Sequence, residues 1–196
     1  MGRDKLTVHS AKPAVFLDRD GVLNRTIIRN GKPYPPADLS ELVITDGARA
    51  ALEQLRQEGF LLIVVTNQPD IARGKAKRAD VDKINAQLAA ILPLDAIELC
   101  EHDDKEQCEC RKPKPGMILR GRDRLGVDLT RSFVLGDRWR DIEAGRRAGC
   151  RTVLIGDGYG EFFPSPPTIN LASLSDAASW IIKQSTVDRG FHENDQ

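Results

Sequence analysis

The sequence predicts an α/β protein of three layers, in which a Rossmann-like parallel sheet lies between helices on both of its faces. Short apolar runs alternate along the chain with amphipathic stretches of helical length. Most of these runs are apolar at nearly every position, which is typical of strands that are buried on both faces. Unusual polar residues follow directly after the runs, where ligands bind in parallel sheets.

The five apolar runs predict one strand each, and three stretches with apolar residues at helical spacing predict the helices. Gly59 and Gly149 follow two of these helices, in the position where glycine commonly ends a helix. Strands separated by single helices predict right-handed crossovers between parallel neighbours. The predicted strands are 14–18, 60–66, 96–100, 132–136 and 151–155, and the predicted helices are 47–58, 80–92 and 140–148.

The length of 196 residues, with 40% hydrophobic residues, predicts one domain over 1–185 and a flexible polar tail over 186–196. The 29 basic and 29 acidic residues cancel, so the sequence lacks the basic surface typical of nucleic-acid binding and gives no reason to expect membrane binding. The opening MGRDKLTVHSAKP has no apolar core of the length that a secretion signal needs, and the sequence has no apolar run of membrane-spanning length, so a cytoplasmic protein is expected.

Asp18 and Asp20 follow the first strand and lie two residues apart, so in an extended chain their side chains point the same way. Two close carboxyl groups do not both ionise easily, so one of them tends to keep a proton. The pair therefore suits two different catalytic roles. Asp18 is the candidate nucleophile, and Asp20 is the candidate acid that protonates a leaving group and then the base that activates water. The alternative interpretation is a solvated turn.

A second pair of carboxylates follows the fourth strand. Asp137 can help Asp18 to hold a hard divalent cation, for which Mg2+ is the best fit. Asp141 lies one helical turn further on and is a candidate to support that ion directly or through another ligand. Taken alone, Asp137 could instead cap the following helix.

Thr66 and Asn67 follow the second strand and offer a hydroxyl and an amide to phosphate oxygens. Lys112 offers a positive charge to a phosphoryl group in transfer, although a solvated loop lysine is the alternative. A nucleophilic Asp, a hydroxyl, a Lys and a metal-binding Asp at successive strand ends are what metal-assisted phosphoryl transfer requires. The combination, more than any single residue, predicts this chemistry.

Three cysteines and one histidine form the pattern Cys100-x-His102-x5-Cys108-x-Cys110. They supply a complete tetrahedral ligand set for Zn2+, so the site is predicted to be structural and to fold the loop over 100–110. The alternative is a loop with free thiols. Cys150 stands apart and is interpreted as a packed residue.

The sequence resembles the haloacid dehalogenase (HAD) superfamily of phosphatases over residues 14–155. Within it, the chain is most similar to the D-glycero-D-manno-heptose 1,7-bisphosphate 7-phosphatase family, followed by the histidinol-phosphate phosphatases. The stretches that carry the resemblance in combination are DRDGVLN from Asp18, VTNQ from Val65, CRKPKPGM from Cys110 and GDRWRDIEAG from Gly136.

The resemblance implies the same roles for Asp18, Asp20, Thr66, Lys112 and Asp137 as the residues themselves suggest. It adds that the backbone carbonyl of Asp20 reaches Mg2+ and that the zinc loop is shared with both related families. It also implies that Arg111 contacts the substrate beyond the scissile phosphate, and we interpret Arg138 as a further substrate-binding residue.

The stretches 21–65 and 67–111 are too short to hold a cap domain besides their own helices and strands, so no cap is predicted. The substrate pocket is expected to be walled by the segment 24–45 and by the zinc loop. The leading hypothesis is a Mg2+-dependent phosphatase that acts at C7 of heptose 1,7-bisphosphate through an aspartyl-phosphate. The alternatives are a histidinol-phosphate or other small phosphomonoester phosphatase and a non-catalytic, zinc-stabilised binding module. The sequence does not predict an oligomeric state.

Overall fold

The fold is given by a computed structural model, which describes residues 11–193. None of its described helices is long and apolar enough to cross a membrane. In chain order the strands and helices are β1 (Ala14–Leu17), β2 (Ile27–Arg29), β3 (Lys32–Tyr34), α1 (Ala48–Gln57), β4 (Leu61–Asn67), α2 (Arg78–Ile91), β5 (Ala96–Cys100), α3 (Gly116–Leu125), β6 (Phe133–Gly136), α4 (Trp139–Ala148), β7 (Arg151–Ile155), β8 (Ile169–Leu171) and α5 (Leu174–Glu193).

Six parallel strands form the main sheet in the order β5-β4-β1-β6-β7-β8. The fully buried β1 lies between β4 and β6. The chain first adds β4 and β5 on one side of β1 and then crosses over to add β6 to β8 on the other. Such a reversal opens a crevice at the carboxyl ends of the strands beside β1, where parallel sheets bind their ligands.

Successive residues of β1 face two separate cores because side chains alternate along a strand. Val15 and Leu17 pack in the core that contains the buried residues of α1, α2 and α5. Ala14 and Phe16 pack in the core that contains the buried residues of α3 and α4. Helices therefore cover both faces of the sheet, and the predicted three-layer α/β fold is confirmed.

All five predicted strands and all three predicted helices are present, with ends that differ by up to two residues. The prediction missed the β2–β3 hairpin, α3, β8 and α5. α5 carried a readable signal, since its buried Leu174, Ala177, Ala178 and Ile181 have helical spacing. The backbone of 186–193, within the predicted tail, continues α5, and residues 194–196 lie outside the described part of the chain.

The connections between sheet strands contain small elements only. β2 and β3 form an antiparallel hairpin between β1 and α1, with Ile27 opposite Tyr34. α2, β5, a short loop and α3 fill the connection between β4 and β6. No cap domain is inserted between residues 11 and 193, in agreement with the sequence prediction.

Gly145 of α4 lets the helix approach the sheet closely. A Cβ atom at this position would lie 2.7 Å from Cγ2 of Thr152 and 2.8 Å from Cβ of Val134. We expect Gly145→Ala to lower the free energy of unfolding by about 1–2 kcal/mol, because overpacking outweighs the better helix propensity of alanine. Urea denaturation of the metal-loaded protein measures this change.

Ser179→Ala, on an exposed position of α5, is the matched control and should change the free energy of unfolding by less than about 0.5 kcal/mol. A Gly145→Ala protein at least as stable as the wild type would show that α4 can move away from the sheet without cost.

Candidate active site

A cleft of about 410 Å³ opens at the carboxyl ends of the sheet strands. All the predicted catalytic and substrate-binding side chains lie in or beside this cleft, although they come from four separate strand ends. Thr66 lies buried just beneath it, next to Gln68. The predicted residues that line the cleft itself are Asp18, Asp20, Asn67, Arg111, Lys112, Asp137, Arg138 and Asp141.

Lys112 is 3% exposed, and its ammonium group lies at the centre of the site. Its Nζ donates to Oδ1 of Asp18 at 2.6 Å and to the carbonyl oxygen of Val65 at 2.7 Å, and it lies 2.5 Å from Oδ1 of Asp141. Burial opposes the charge, but the carboxylates of Asp141 and Asp18 outweigh it and raise the pKa of Lys112. The lysine is therefore a fixed positive charge.

One carboxylate oxygen from each of Asp18, Asp137 and Asp141 lies within 4.8 Å of the other two. Burial raises the pKa of Asp18 to about 7, with the negative charge of Asp141 adding to the effect and Lys112 opposing it. Burial and the charges of Asp18 and Asp141 raise the pKa of Asp137 to about 8. The three groups thus repel one another, and the single charge of Lys112 compensates only part of their negative charge.

A divalent cation fits this group of carboxylates. Oδ1 of Asp137 is buried and has no hydrogen-bond partner among the described residues. Hard cations prefer such oxygen ligands, and a bound cation would remove the repulsion between the three carboxylates. Gly21 keeps the space around Asp137 open, since a Cβ atom there would lie 1.8 Å from Oδ2 of Asp137.

The carboxylate of Asp20 is held by side-chain donors and is not one of the clustered oxygens. Arg19, which is fully buried, donates to it from Nε at 3.2 Å and from Nη2 at 3.0 Å. Nδ2 of Asn24 donates to Oδ1 at 3.0 Å, and Nε2 of Gln68 donates to Oδ2 at 2.7 Å. A contact of Asp20 with Mg2+ would therefore use the backbone carbonyl, as the family resemblance implies.

Gln68 and Arg19 connect Asp20 to its surroundings, and neither was among the predicted site residues. Nε2 of Gln68 also lies 2.9 Å from Oγ1 of Thr66, so one amide joins the predicted acid/base to the predicted phosphate-binding hydroxyl. Nη1 of Arg19 donates to Oδ1 of Asn85 on α2 at 2.9 Å. These contacts fix the direction of the Asp20 side chain.

The side chain of Asn67 is bonded to the backbone of Lys112. Its Nδ2 donates to the carbonyl oxygen of Lys112 at 3.0 Å, and its Oδ1 accepts from the backbone N–H of Lys112 at 3.1 Å. This pair of bonds ties the end of β4 to the loop before α3. Asn67 therefore positions Lys112.

The predicted zinc ligands converge on one point. The sulfur atoms of Cys100, Cys108 and Cys110 are 3.2–3.7 Å apart. Nδ1 of His102 lies 3.2 Å from Sγ of Cys110 and 3.6 Å from Sγ of Cys100. A zinc tetrahedron with Zn–S bonds of about 2.3 Å has edges of about 3.8 Å. The four side chains thus fit a structural zinc ion, whereas Cys150 is buried in the core below α3 and α4.

Arg111 follows the zinc loop directly and is bonded to it. Its Nε donates to Oδ1 of Asp104 at 2.7 Å, and its Nη1 donates to the carbonyl oxygen of His102 at 3.3 Å. Arg140 also reaches Oδ1 of Asp104, at 3.3 Å. The loop therefore orients cationic side chains at the wall of the cleft.

The remaining walls come from the β2–β3 hairpin and from the segment after β4. The loop after β7 contacts two residues that line the cleft, Asp137 and Arg138. Thr26 and Tyr34 line the cleft on the hairpin side, within the wall that the sequence predicts. The guanidinium of Arg138 forms an ion pair with Glu161. The hydroxyl of Tyr159 donates to Oδ2 of Asp137 at 3.0 Å, and burial raises the pKa of this tyrosine to about 12. No local sequence pattern pointed to Tyr159.

Comparisons with known proteins agree with this architecture. A HAD-hydrolase-like family model matches residues 109–176. A D-glycero-beta-D-manno-heptose-1,7-bisphosphate 7-phosphatase of Vibrio cholerae is 35% identical over 188 aligned positions, and the match covers 88% of this chain and 98% of the relative. The enzyme of the same name from Escherichia coli strain K12 is 34% identical over 183 aligned positions, and the match covers 87% of this chain and 88% of the relative.

The solved structures include a D,D-heptose 1,7-bisphosphate phosphatase from B. bronchiseptica complexed with magnesium and phosphate. It matches with a TM-score of 0.74 and 30% identity, over 88% of this chain and 99% of that one. A putative HAD-like phosphatase from Mesorhizobium loti matches with a TM-score of 0.70 and 28% identity, over 88% and 87% of the two chains. The chain therefore belongs to the family of the D-glycero-beta-D-manno-heptose-1,7-bisphosphate 7-phosphatases, among the HAD-like hydrolases.

Proposed function

We propose that this protein is a Mg2+-dependent phosphatase that removes the 7-phosphate of D-glycero-D-manno-heptose 1,7-bisphosphate. The observation that carries the proposal is the buried ammonium of Lys112 between the carboxylates of Asp18 and Asp141, beside an unpaired oxygen of Asp137. Such a centre attracts both a divalent cation and the charged oxygens of a phosphoryl group. The names of the relatives supply the substrate.

Asp18 acts as the nucleophile. One of its carboxylate oxygens forms a bond to phosphorus, and the bond between phosphorus and the sugar oxygen breaks. Asp20 gives a proton to the leaving sugar oxygen. It then takes a proton from water, whose oxygen attacks the aspartyl-phosphate, so that inorganic phosphate leaves and Asp18 is restored.

Lys112 and Thr66 stabilise the phosphoryl group during both steps. The ammonium of Lys112 offsets negative charge on the phosphoryl oxygens, and the hydroxyl of Thr66 donates to one of them. Gln68 bonds to both Thr66 and Asp20 and so fixes the distance between the phosphate site and the acid/base. Preorganised donors of this kind need little rearrangement when the reaction occurs.

Mg2+ would be held by Asp18, Asp137 and Asp141 and by the backbone carbonyl of Asp20. When bound, it supplies positive charge that screens the carboxylates from the phosphate and stabilises the transition state. The clustered carboxylates and the orphaned oxygen of Asp137 support this assignment.

A bisphosphate substrate needs positive charge away from the reacting centre as well. Arg111 and Arg140 line the cleft near the zinc loop, while Arg138 lines it next to Asp137. We propose that Arg111 binds the second phosphate and that Arg138 contacts the sugar. The presence of Asp18 and Asp20 at one edge favours an enzyme over a non-catalytic module. None of the four cysteines is in a disulfide, which suits the reducing cytoplasm.

Replacement of the nucleophile tests the covalent mechanism. We expect Asp18→Asn to lower kcat by about a thousandfold or more, since an amide does not form the aspartyl-phosphate. The measurement is phosphate release from heptose 1,7-bisphosphate, histidinol phosphate and a panel of other sugar phosphates, with and without Mg2+.

Asp123→Asn, on an exposed position of α3, is the control and should keep the wild-type rate. Wild-type turnover by Asp18→Asn would contradict the mechanism, preference for histidinol phosphate would contradict the substrate, and an inert wild-type protein would support the binding-module alternative.

Magnesium affinity should depend on pH. The pKa values of about 7 for Asp18 and about 8 for Asp137 mean that protons occupy these groups in the metal-free protein at lower pH. Because Mg2+ binds the ionised form, its affinity should fall as the pH falls and be about tenfold or more weaker near pH ~6 than near pH ~8.5. Titration calorimetry in buffers with different ionisation enthalpies measures both the affinity and the protons released; an affinity independent of pH would contradict the prediction.

Zinc should affect catalysis through Arg111 and Lys112. The zinc loop holds Arg111 by the carbonyl oxygen of His102, which is itself a proposed ligand, and Lys112 is the next residue. We expect a zinc-free protein with saturating Mg2+ to lose stability and at least about tenfold in kcat/KM, since ligand positioning by neighbouring groups typically has effects of this size.

Metal analysis and phosphate release, before and after treatment with a zinc-selective chelator, measure this effect. Cys150→Ala is the control, because it should retain zinc and the dependence of activity on zinc. Full turnover by zinc-free protein would show that the loop does not position the cations.

A further inference from the structure

We propose that Tyr159 is a positioning residue for the metal site, which orients the carboxylate of Asp137 and links it to the hairpin wall of the cleft. This inference rests on the proposed role of Asp137 as a Mg2+ ligand. It concerns a residue outside the stretches that resemble the family motifs.

The hydrogen bond between the two side chains leaves one oxygen of Asp137 for the cation. The phenolic hydroxyl of Tyr159 donates to Oδ2 of Asp137 at 3.0 Å. Oδ1 of Asp137 is buried and has no partner among the described residues. A neutral donor on one oxygen fixes the rotation of the carboxylate and presents the other oxygen, which is how partners of metal ligands typically act.

The backbone of the loop is held in a conformation that tyrosine disfavours. Tyr159 has φ 54° and ψ 28°, between Gly158 and Gly160, which also have positive φ. The side chain of Asp157 accepts from the N–H of Tyr159 at 3.0 Å and stabilises this turn. Glycine would occupy the position with less strain, so the tyrosine side chain must contribute something that the turn itself does not require.

The same hydroxyl reaches the hairpin wall of the cleft. It lies 3.4 Å from Oγ1 of Thr26, the residue just before β2 of the hairpin. On the far side of the loop, Glu161 pairs with Arg138, which follows Asp137 in the chain. The loop after β7 is therefore bonded both to the substrate wall and to the metal ligand.

Tyr159 also lines a second cavity, of about 270 Å³, together with Gly21, Leu174 and Asp137. Asp137 lines the main cleft as well. Loss of the whole ring would enlarge the second cavity and expose Asp137 to more water. Tyr159→Phe therefore tests the hydroxyl alone, because it keeps the ring and the wall.

Titration calorimetry with Mg2+ on the zinc-loaded protein tests the inference. We expect Tyr159→Phe to raise the Kd for Mg2+ about tenfold, as the loss of a partner of a metal ligand commonly does. Phosphate release should return to near the wild-type rate when Mg2+ is raised to saturation. Tyr34→Phe removes a hydroxyl from the hairpin side of the same cleft and should leave the Kd for Mg2+ unchanged, and Asp137→Asn should abolish binding.

The outcomes separate this inference from the proposed function. Loss of Mg2+ binding in Asp137→Asn together with a wild-type Kd in Tyr159→Phe would overturn the role of Tyr159 and leave the metal site intact. Wild-type Mg2+ affinity in Asp137→Asn would overturn the metal site and the inference with it. A lower melting temperature of metal-free Tyr159→Phe without a change in Kd would make the tyrosine merely structural and would also overturn the inference.

Discussion

The candidate site depends on the electrostatic balance among three buried carboxylates and one buried ammonium. With every group ionised, Asp18, Asp137 and Asp141 carry more negative charge than Lys112 offsets, and burial makes the excess costly. Protons can relieve the excess in the metal-free protein, and a divalent cation relieves it more completely. The same imbalance that disfavours the empty site therefore favours the binding of Mg2+ and phosphate together.

Asp18 and Asp20 show how surroundings can give two nearby carboxylates different work. Asp18 is buried and accepts a hydrogen bond from Lys112, which is distant in sequence. The carboxylate of Asp20 accepts instead from the side chains of Arg19, Asn24 and Gln68. One carboxylate is thereby placed for attack and the other is held at a fixed angle to it. Enzymes commonly give two chemically identical groups separate roles by placing them in different surroundings, even when the groups are only two residues apart.

The proposed zinc site would fix the direction of side chains on the substrate side of the cleft. The segment 103–107 is polar and contributes nothing to either core, so its fold depends on the ligands around it. Arg111 is bonded to that segment, and Lys112 is clamped at its backbone by Asn67. A metal remote from the chemistry would in this way set the direction of two cations.

Sequence alone determined the sheet, most of its helices and the edge at which the site lies. Apolar runs and helical spacing are local patterns, and parallel topology sends every strand end to one edge. Asp18, Asp20 and Asp137 could be found because they lie at the ends of those runs, whereas Lys112 follows its run only after the zinc loop. The short hairpin escaped prediction because three-residue strands leave almost no periodic signal.

Tertiary structure decided which partner each side chain has. Asn67 bonds to Lys112, Gln68 joins Thr66 to Asp20, and Tyr159 reaches Asp137. The partners in two of these contacts are far apart in sequence: 45 residues separate Asn67 from Lys112, and 22 separate Asp137 from Tyr159. No local spacing therefore encodes these contacts. Sequence fixes which groups are available at a strand end, but hydrogen bonds act only over short distances, and those distances exist once the chain has folded.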